Sequence, residues 1–375
     1  MKIAQIAPLY ESVPPATYGG TERVVAYLTD ALVDAGHDVT LFASADSLTK
    51  AKLVPCCPRS LRTDPACIDP VARHVLQIQE VVERAAEFDI VHFHIDYMHF
   101  PLTGKQAFPY VTTLHGRLDI ADLQPLYNKF NKQPVVSISY SQRLPLPQAY
   151  WVGNVYHGLP MNLYKQGKGD GGYLAFIGRI SPEKGVDRAI EIAIKAGKKL
   201  RIAAKVDRAD ERYFESDIKH LLAHPLIEFI GEVDEVNKSA LLEGAECLLF
   251  PIDWPEPFGM VMIEAMACGT PVLAFGRGSV PEVITDGVSG FIVESVEEAL
   301  AKLPSVIRMS RQQVRAHFET RFSAGRMAQD YLKVYLKQIN ASRTISVQLG
   351  QSRQNPAKES SQGYREDQPV SRSII

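Results

Sequence analysis

The sequence predicts an α/β protein of two doubly wound, parallel-sheet domains facing each other across a cleft, and three observations predict it. The chain has 375 residues, enough for two hydrophobic cores at about 100 to 200 residues per domain. Short β-branched apolar runs alternate with stretches of helical period from the first residue onward, which is the βα grammar of parallel sheets. Around 159–172 the alternation stops in a polar, glycine-rich segment and then resumes. The expected organisation is a first domain over 1–160, a linker over 161–172, a second domain over 173–325, a terminal helix over 326–340 and a disordered tail over 341–375.

In the first half a strand is expected at 2–7 and a helix at 21–35. Thr21 suits the N-cap, Val24, Val25, Leu28, Ala31 and Leu32 keep the 3.6 period, and Gly36 suits the left-handed C-terminal position. Strands at 38–43, 90–93, 110–114, 135–138 and 154–156 complete this sheet. The run Gly167-Lys-Gly-Asp-Gly-Gly172 matches G-x-G-x-x-G, but that fingerprint needs a strand before it and a helix after it. Here the strand comes after, so the run reads as linker. The second half places strands at 173–178, 200–204, 227–230, 247–251, 271–275 and 291–293, with helices at 186–196, 211–223, 236–245 and 259–267. Met327, Tyr331, Leu332, Val334, Tyr335, Leu336 and Ile339 give the terminal helix a wide apolar face, which packs more readily across the domains than on a membrane. Beyond it the chain is rich in Ser, Gln and Arg and too poor in large apolar residues to bury a core.

Charge and cysteine content narrow the partners. Lys plus Arg number 41 against 43 Asp plus Glu, a net charge of −2, without the basic excess a nucleic-acid binder uses to neutralise phosphates. Small molecules are the expected partners. No run reaches the roughly 18 to 20 apolar residues of a membrane helix, and the strand-like start is too short for a signal peptide. A cytoplasmic location is therefore expected. The five cysteines, an odd number without a C-x-x-C pair, fit reduced thiols and exclude a disulfide framework or a cysteine-rich zinc site.

Two motifs carry chemistry. Glu256-Pro-Phe-Gly-Met-Val-Met-Ile-Glu264-Ala-Met-Ala-Cys-Gly-Thr-Pro271 follows a strand and opens a helix. Pro257 suits the first turn, Gly259 permits a ligand close to the backbone, and the free N–H groups of such a helix start form an anion site. Glu264, about one turn in, is placed to accept hydrogen bonds from sugar hydroxyls; the plainer reading is an acidic helix start stabilised by its dipole. Phe176-Ile-Gly-Arg179-Ile-Ser-Pro-Glu-Lys184-Gly185 follows the first strand of the second half. A guanidinium and an ammonium on one strand-to-helix loop suit a diphosphate; read without the other motif, the loop is only a basic turn. Together the motifs describe a nucleotide-sugar site.

This pair of motifs resembles the retaining family 4 glycosyltransferases, which have the GT-B fold of two Rossmann-like domains and include glycogen-synthase-like and PimA-like enzymes. Gly19-Gly20-Thr-Glu22-Arg23, Thr113-Leu-His115-Gly116 and Ser279-Val-Pro-Glu-Val-Ile-Thr-Asp-Gly also fit, so the resemblance spans about residues 1–340. It implies that Arg179 and Lys184 stabilise the departing nucleoside diphosphate and that Glu264 holds the ribose. Glu256 would contact the donor sugar, beside the backbone of Phe258, Gly259 and Met260. His115 would face the same sugar, Gly19 and Gly20 would approach the donor phosphate from the opposite wall, and Glu22, Arg23 and the loop after His115 are candidates on the acceptor side. The implied reaction transfers a hexosyl group, glucose or mannose, from a UDP-sugar by preference to a hydroxyl, with retention. The acceptor could be a sugar, a polysaccharide, a lipid-linked molecule or a small molecule, and lipid-linked acceptors leave peripheral docking at the inner membrane face open. No cofactor is expected, the nucleotide sugar being a substrate. No metal is expected either, since the cations can stabilise the leaving group and the sequence has no Asp-x-Asp.

The sequence departs from the family pattern at Tyr156-His157-Gly158, where Asn-Gly is common, so no role is given to His157. Lys205-Val206-Asp207 stands where a Gly-x-Gly turn usually lies near the base. His92, His94, Asp96 and His99 read as polar residues at a strand end lining the cleft mouth rather than as a metal cluster. Ser137 to Arg143 lacks the elbow of a nucleophilic serine and reads as a strand end. An epimerase of the same fold and a non-catalytic nucleotide-sugar-binding module are the alternatives; the complete Glu256–Glu264 motif disfavours the first, and intact Arg179, Lys184, Glu256, Glu264 and His115 the second.

Overall fold

The computed structural model describes residues 1–16, 19–104 and 106–354, the side chains of 344–354 excepted. The first half builds a sheet from β1 (Lys2–Ile6), β2 (Asp38–Ser44), β3 (Lys52–Cys57), β4 (Ile90–Phe93), β5 (Tyr110–Thr113), β6 (Val135–Ser137) and β7 (Trp151–Asn154). Its order is β3-β2-β1-β4-β5-β6-β7 and every pairing is parallel. The second half supplies β8 (Tyr173–Arg179), β9 (Lys199–Lys205), β10 (Ile227–Gly231), β11 (Cys247–Phe250), β12 (Val272–Phe275) and β13 (Gly290–Val293). These form a second parallel sheet in the order β10-β9-β8-β11-β12-β13. In each sheet the strand order reverses beside the first strand, β1 or β8. Ligands of open α/β sheets bind beyond the carboxyl ends of the strands at that point.

The strands are as apolar as burial on both faces requires. β4 and β11 are buried along their whole length. The Gly20–Asp34 helix buries Val24, Val25, Leu28 and Leu32, the periodic positions of the sequence. The C-terminal helix, Ala324–Gln354, returns to the first sheet and buries Met327, Tyr331, Val334, Tyr335 and Ile339 in a cluster with Ile3, Leu28 and Val136. Leu159 holds the chain where it crosses, its N–H donating to the Phe322 carbonyl at 2.9 Å and its carbonyl accepting from Ala324 N–H at 2.8 Å. Among the described residues no helix is long and apolar enough to cross a membrane.

Several expectations change. The terminal helix runs well past residue 340, so 341–354, read as tail, is helical; Ala, Arg, Leu and Gln favour helix and no proline interrupts the sequence between Ala324 and Pro356. Residues 355–375 lie outside the described residues. The strand expected at 154–156 lies at β7, earlier in the chain, because Gly153 interrupts the apolar run that would have marked it. The helix expected over 211–223 is three short turns, Glu211–Tyr213, Phe214–Ile218 and Leu221–Ala223, of which only Ile218 is fully buried. β3 and the helices Pro70–Arg84, Val296–Ile307 and Arg311–Arg321 were not anticipated. The first of these helices exposes Val71, Val75 and Leu76, which blurs its period. Its start was nevertheless marked, since Asp69 accepts from the Val71 and Ala72 amides and Pro70 occupies the first turn.

Candidate active site

Two cavities meet at the carboxyl ends of the strands. The larger, about 610 Å³, lies between Gly19–Glu22, His94–Met98 and His115 of the first half and Glu256–Met260 of the second. The smaller, about 560 Å³, lies beside Gly178, Arg179, Lys184, Lys205 and Lys238, with Arg117 reaching in from the first half. Glu256 lines both. The chain thus brings together Gly19, Gly20, Glu22, His115, Arg179, Lys184, Glu256, Phe258, Gly259 and Met260 of the sequence reading.

At the junction, Lys184 Nζ is hydrogen-bonded to Glu256 Oε2, and the Trp254 indole donates to the same oxygen at 3.1 Å. Lys184 Nζ also stands 4.8 Å from the Trp254 ring centroid, and the Arg117 guanidinium 5.7 Å from it, within cation–π range. Arg179 ends β8. It pairs with Glu183, with Asp210 at 3.1 Å and with Asp207 at 3.8 Å. Burial works against its charge, but those carboxylates outweigh it and hold its pKa above the ordinary value. The loop from Gly178 to Gly185 therefore presents two cations to the smaller cavity. Gly259 caps the Met260–Ala267 helix with φ 74° and, with Met260, lines the larger cavity.

Glu264 lies deeper, 5% exposed. Lys238 donates to it at 2.8 Å and also contacts Glu235 at 3.2 Å. Glu235 in turn accepts from Arg23 at 2.5 Å and from the Tyr164 hydroxyl. Arg23, a candidate on the acceptor side, pairs with this carboxylate of the opposite half and also meets Tyr27. Glu22 remains on the first-half wall, and its burial raises its carboxyl pKa.

The first-half wall is histidine-rich. His115 Nε2 lies 2.9 Å from His94 Nδ1, and the His157 ring stacks on His115 at 5.3 Å and meets Phe258 at 4.8 Å. Burial keeps His115 neutral, its pKa lowered to about 3. Asp96, exposed to solvent, lines the larger cavity with φ 51°. His92 and His99 do not line the cleft mouth as expected. Both are buried, and their ring nitrogens are engaged by Tyr335 and Thr113 and by Thr103 and Thr112. Among the described residues no group of three His, Cys, Asp or Glu side chains is placed to hold a metal ion. Ser137 is bonded to Asn154 and Arg143 and is no nucleophile.

Sequence reasoning singled out none of Arg117, His157, Glu183, Asp207, Asp210, Glu235 and Lys238 for a role of its own. Arg117 lies in the loop after His115, read as a candidate on the acceptor side, and Glu183 lies inside the Arg179–Lys184 motif, four residues from its partner Arg179. The others reach the site through tertiary packing.

Comparison with known proteins places this arrangement in a family. The profile of the group 1 glycosyl transferases matches residues 164–319, and that of glycosyltransferase family 4 matches residues 18–150. The phosphatidyl-myo-inositol mannosyltransferase of Mycolicibacterium smegmatis is 25% identical over 92% of this chain and 94% of its own. Glycogen synthase of Mycobacterium tuberculosis is 24% identical over 85% of this chain and 92% of its own. Among solved structures, AviGT4, a glycosyltransferase of avilamycin A biosynthesis, superposes with a TM-score of 0.70 at 22% identity, covering 91% of this chain and 98% of that one. Sucrose-phosphate synthase from Thermosynechococcus elongatus gives 0.72 at 18% identity, covering 91% and 100%.

Proposed function

The chain belongs to the family 4 glycosyltransferases and is a glycosyltransferase of GT-B fold, and from that premise we propose that it transfers a hexosyl group, glucose or mannose, from a UDP-sugar to a hydroxyl acceptor with retention and without a metal ion. The observation that carries this reading is the junction at Glu256, where a cation-lined cavity opens into a larger one walled by both halves. The nucleotide takes the smaller cavity, with its ribose toward Glu264 and its diphosphate on Arg179, Lys184 and the amides after Gly259. The sugar lies at the junction between Glu256 and His115, and the acceptor enters from the side of Glu22 and Asp96.

In this scheme the bond from the anomeric carbon to the diphosphate oxygen breaks first, and Arg179 and Lys184 take up the growing negative charge. The acceptor oxygen bonds to the anomeric carbon on the face the diphosphate is leaving, and its proton passes to a departing phosphate oxygen. No enzyme nucleophile is needed, and the two cations supply the leaving-group stabilisation a metal would otherwise give. The reading is tested by thermal shift with UDP, GDP and ADP and their glucose and mannose conjugates in EDTA, because a ligand that binds only the folded state raises its apparent stability. A selective rise with UDP and one UDP-sugar is expected, followed by turnover of that donor in EDTA. No shift with any nucleotide would overturn the reading, and a shift without turnover would favour a non-catalytic nucleotide-sugar-binding module.

A further inference from the structure

His115 is the cleft-side end of a chain of buried polar groups that runs to the C-terminal helix. Its Nε2 lies 2.9 Å from His94 Nδ1, and the other nitrogen of His94 lies 2.7 Å from Gln5 Oε1. Gln5 Nε2 donates to the Tyr335 hydroxyl at 3.0 Å, and that hydroxyl lies 2.7 Å from His92 Nδ1. Gln5 and Tyr335 are 0% exposed and His94 2%, so these groups have no water with which to exchange partners.

Such a chain has a direction. The amide oxygen of Gln5 has no proton, so His94 Nε2 is the donor there. Burial and the neighbouring rings hold the His94 pKa well below its ordinary value, so this imidazole is neutral and its Nδ1 is a lone pair. His115 Nε2 must then donate to it. The remaining nitrogen, His115 Nδ1, is left without a proton, and it is buried without any partner in the protein, on a residue that lines the larger cavity.

We propose that His94, Gln5 and Tyr335 are positioning residues that fix His115 in its Nε2–H tautomer, so that Nδ1 is offered to the bound sugar as a hydrogen-bond acceptor. The nature of that ligand rests on the function proposed above; the tautomer does not. A ligand meets this nitrogen through a hydroxyl, since an ether or carbonyl oxygen there would leave both groups unpaired. A side chain of the last helix, 330 residues from Gln5 in sequence, thereby sets the polarity of a group in the cleft.

The test is two-part. Long-range proton–nitrogen NMR of the full-length, ligand-free protein labelled with 15N-histidine reads the tautomer directly, His115 being assigned by the loss of its signals in His115→Asn. A pyridine-like Nδ1 and a pyrrole-like Nε2 are expected, and the reverse pattern or an averaged pair overturns the proposal. Removing the acceptor with His94→Leu should lower kcat for the donor that turns over by about 10- to 100-fold, the usual scale for losing an orienting partner. His94→Asn, whose amide oxygen can take the same proton, should restore most of it. An unchanged kcat in His94→Leu, or an Asn variant no better than Leu, also overturns the proposal, and if the Leu variant does not fold the wild-type spectrum decides. Failure of every donor to bind would instead strike the function reading and leave the tautomer standing.

Discussion

Arg179 lines the smaller cavity and Glu264 lies buried in the Met260–Ala267 helix, and their surroundings predict different consequences when each is removed. Arg179 is 38% exposed and shares three carboxylates, an arrangement that solvent screens and that contributes at most about 1 kcal/mol to folding. Its charge matters once a diphosphate displaces those carboxylates. Arg179→Ala should therefore lower kcat/KM for the donor by about 10²- to 10³-fold while the melting temperature moves little, as steady-state rates and calorimetry would show. Glu264 is buried against Lys238, itself only 14% exposed on its side chain, so Glu264→Ala leaves that ammonium with Glu235 alone, at 3.2 Å. A loss of about 1 to 3 kcal/mol in urea unfolding is expected, together with weaker nucleotide binding. Of these groups Arg179, Lys184, Glu256 and Glu264 were legible because they sit in contiguous motifs with their own strand and helix start. Lys238 and Glu235 were not, since a helix with so little apolar periodicity gives no hint of which face meets the cleft.

The strand-to-helix loop after β8 packs against the segment that follows β11, where Asp253 N–H also donates to the Glu183 carbonyl at 2.9 Å. Gly185 has φ 68°, and a Cβ there would lie 2.1 Å from the Pro251 carbonyl oxygen, which is backbone and cannot move aside. Gly185→Ala should cost at least about 2 kcal/mol and displace Lys184, so that melting temperature and donor affinity fall together. At the same scale, β4 and the loops after β5 and β7 gather His92, His94, His115 and His157, all held neutral with pKa values below the ordinary one, primarily by burial. In the unfolded chain each takes up a proton near pH 6.5; in the folded chain it does not. This stability is fully present above pH 6.5 and is lost as pH falls below it, at about 1.4 kcal/mol per pH unit for each histidine. Melting temperature should thus begin to drop between pH 6.5 and 5, before the surface carboxylates titrate, and a flat profile over that range would contradict the buried neutral histidines. The element order was largely legible because β-branched runs buried on both faces mark parallel strands. The helices Pro70–Arg84 and Val296–Ile307 were not, the one exposing apolar residues and the other carrying Pro304 inside it.

The relation between the two halves is the property least legible in the sequence, because the groups that set it are far apart along the chain. Arg23 pairs with Glu235 across the cleft, with exposures of 15% and 27%. On another side Glu282 accepts from the Tyr140 and Ser141 amides at 2.7 Å each and from the Tyr156 hydroxyl at 3.0 Å. These polar contacts bridge the two halves, and polar contacts between domains are ones that open readily. Closure that excludes water around the transferring sugar is useful only if it reverses to admit donor and release product. Removing both contacts with Arg23→Ala and Glu282→Ala should therefore favour an open arrangement. Small-angle scattering of the double variant should give a larger radius of gyration than the wild type, and the nucleotide identified by thermal shift should bring it back, since bridging the smaller cavity supplies closure from Arg117 on one side and Arg179 and Lys184 on the other. The apparent donor affinity should fall by the fraction of molecules no longer closed. A double variant as compact as the wild type would mean that the apolar seat of the C-terminal helix on the first sheet, with Leu159 bonded to Phe322 and Ala324 where the chain crosses, fixes the two halves by itself.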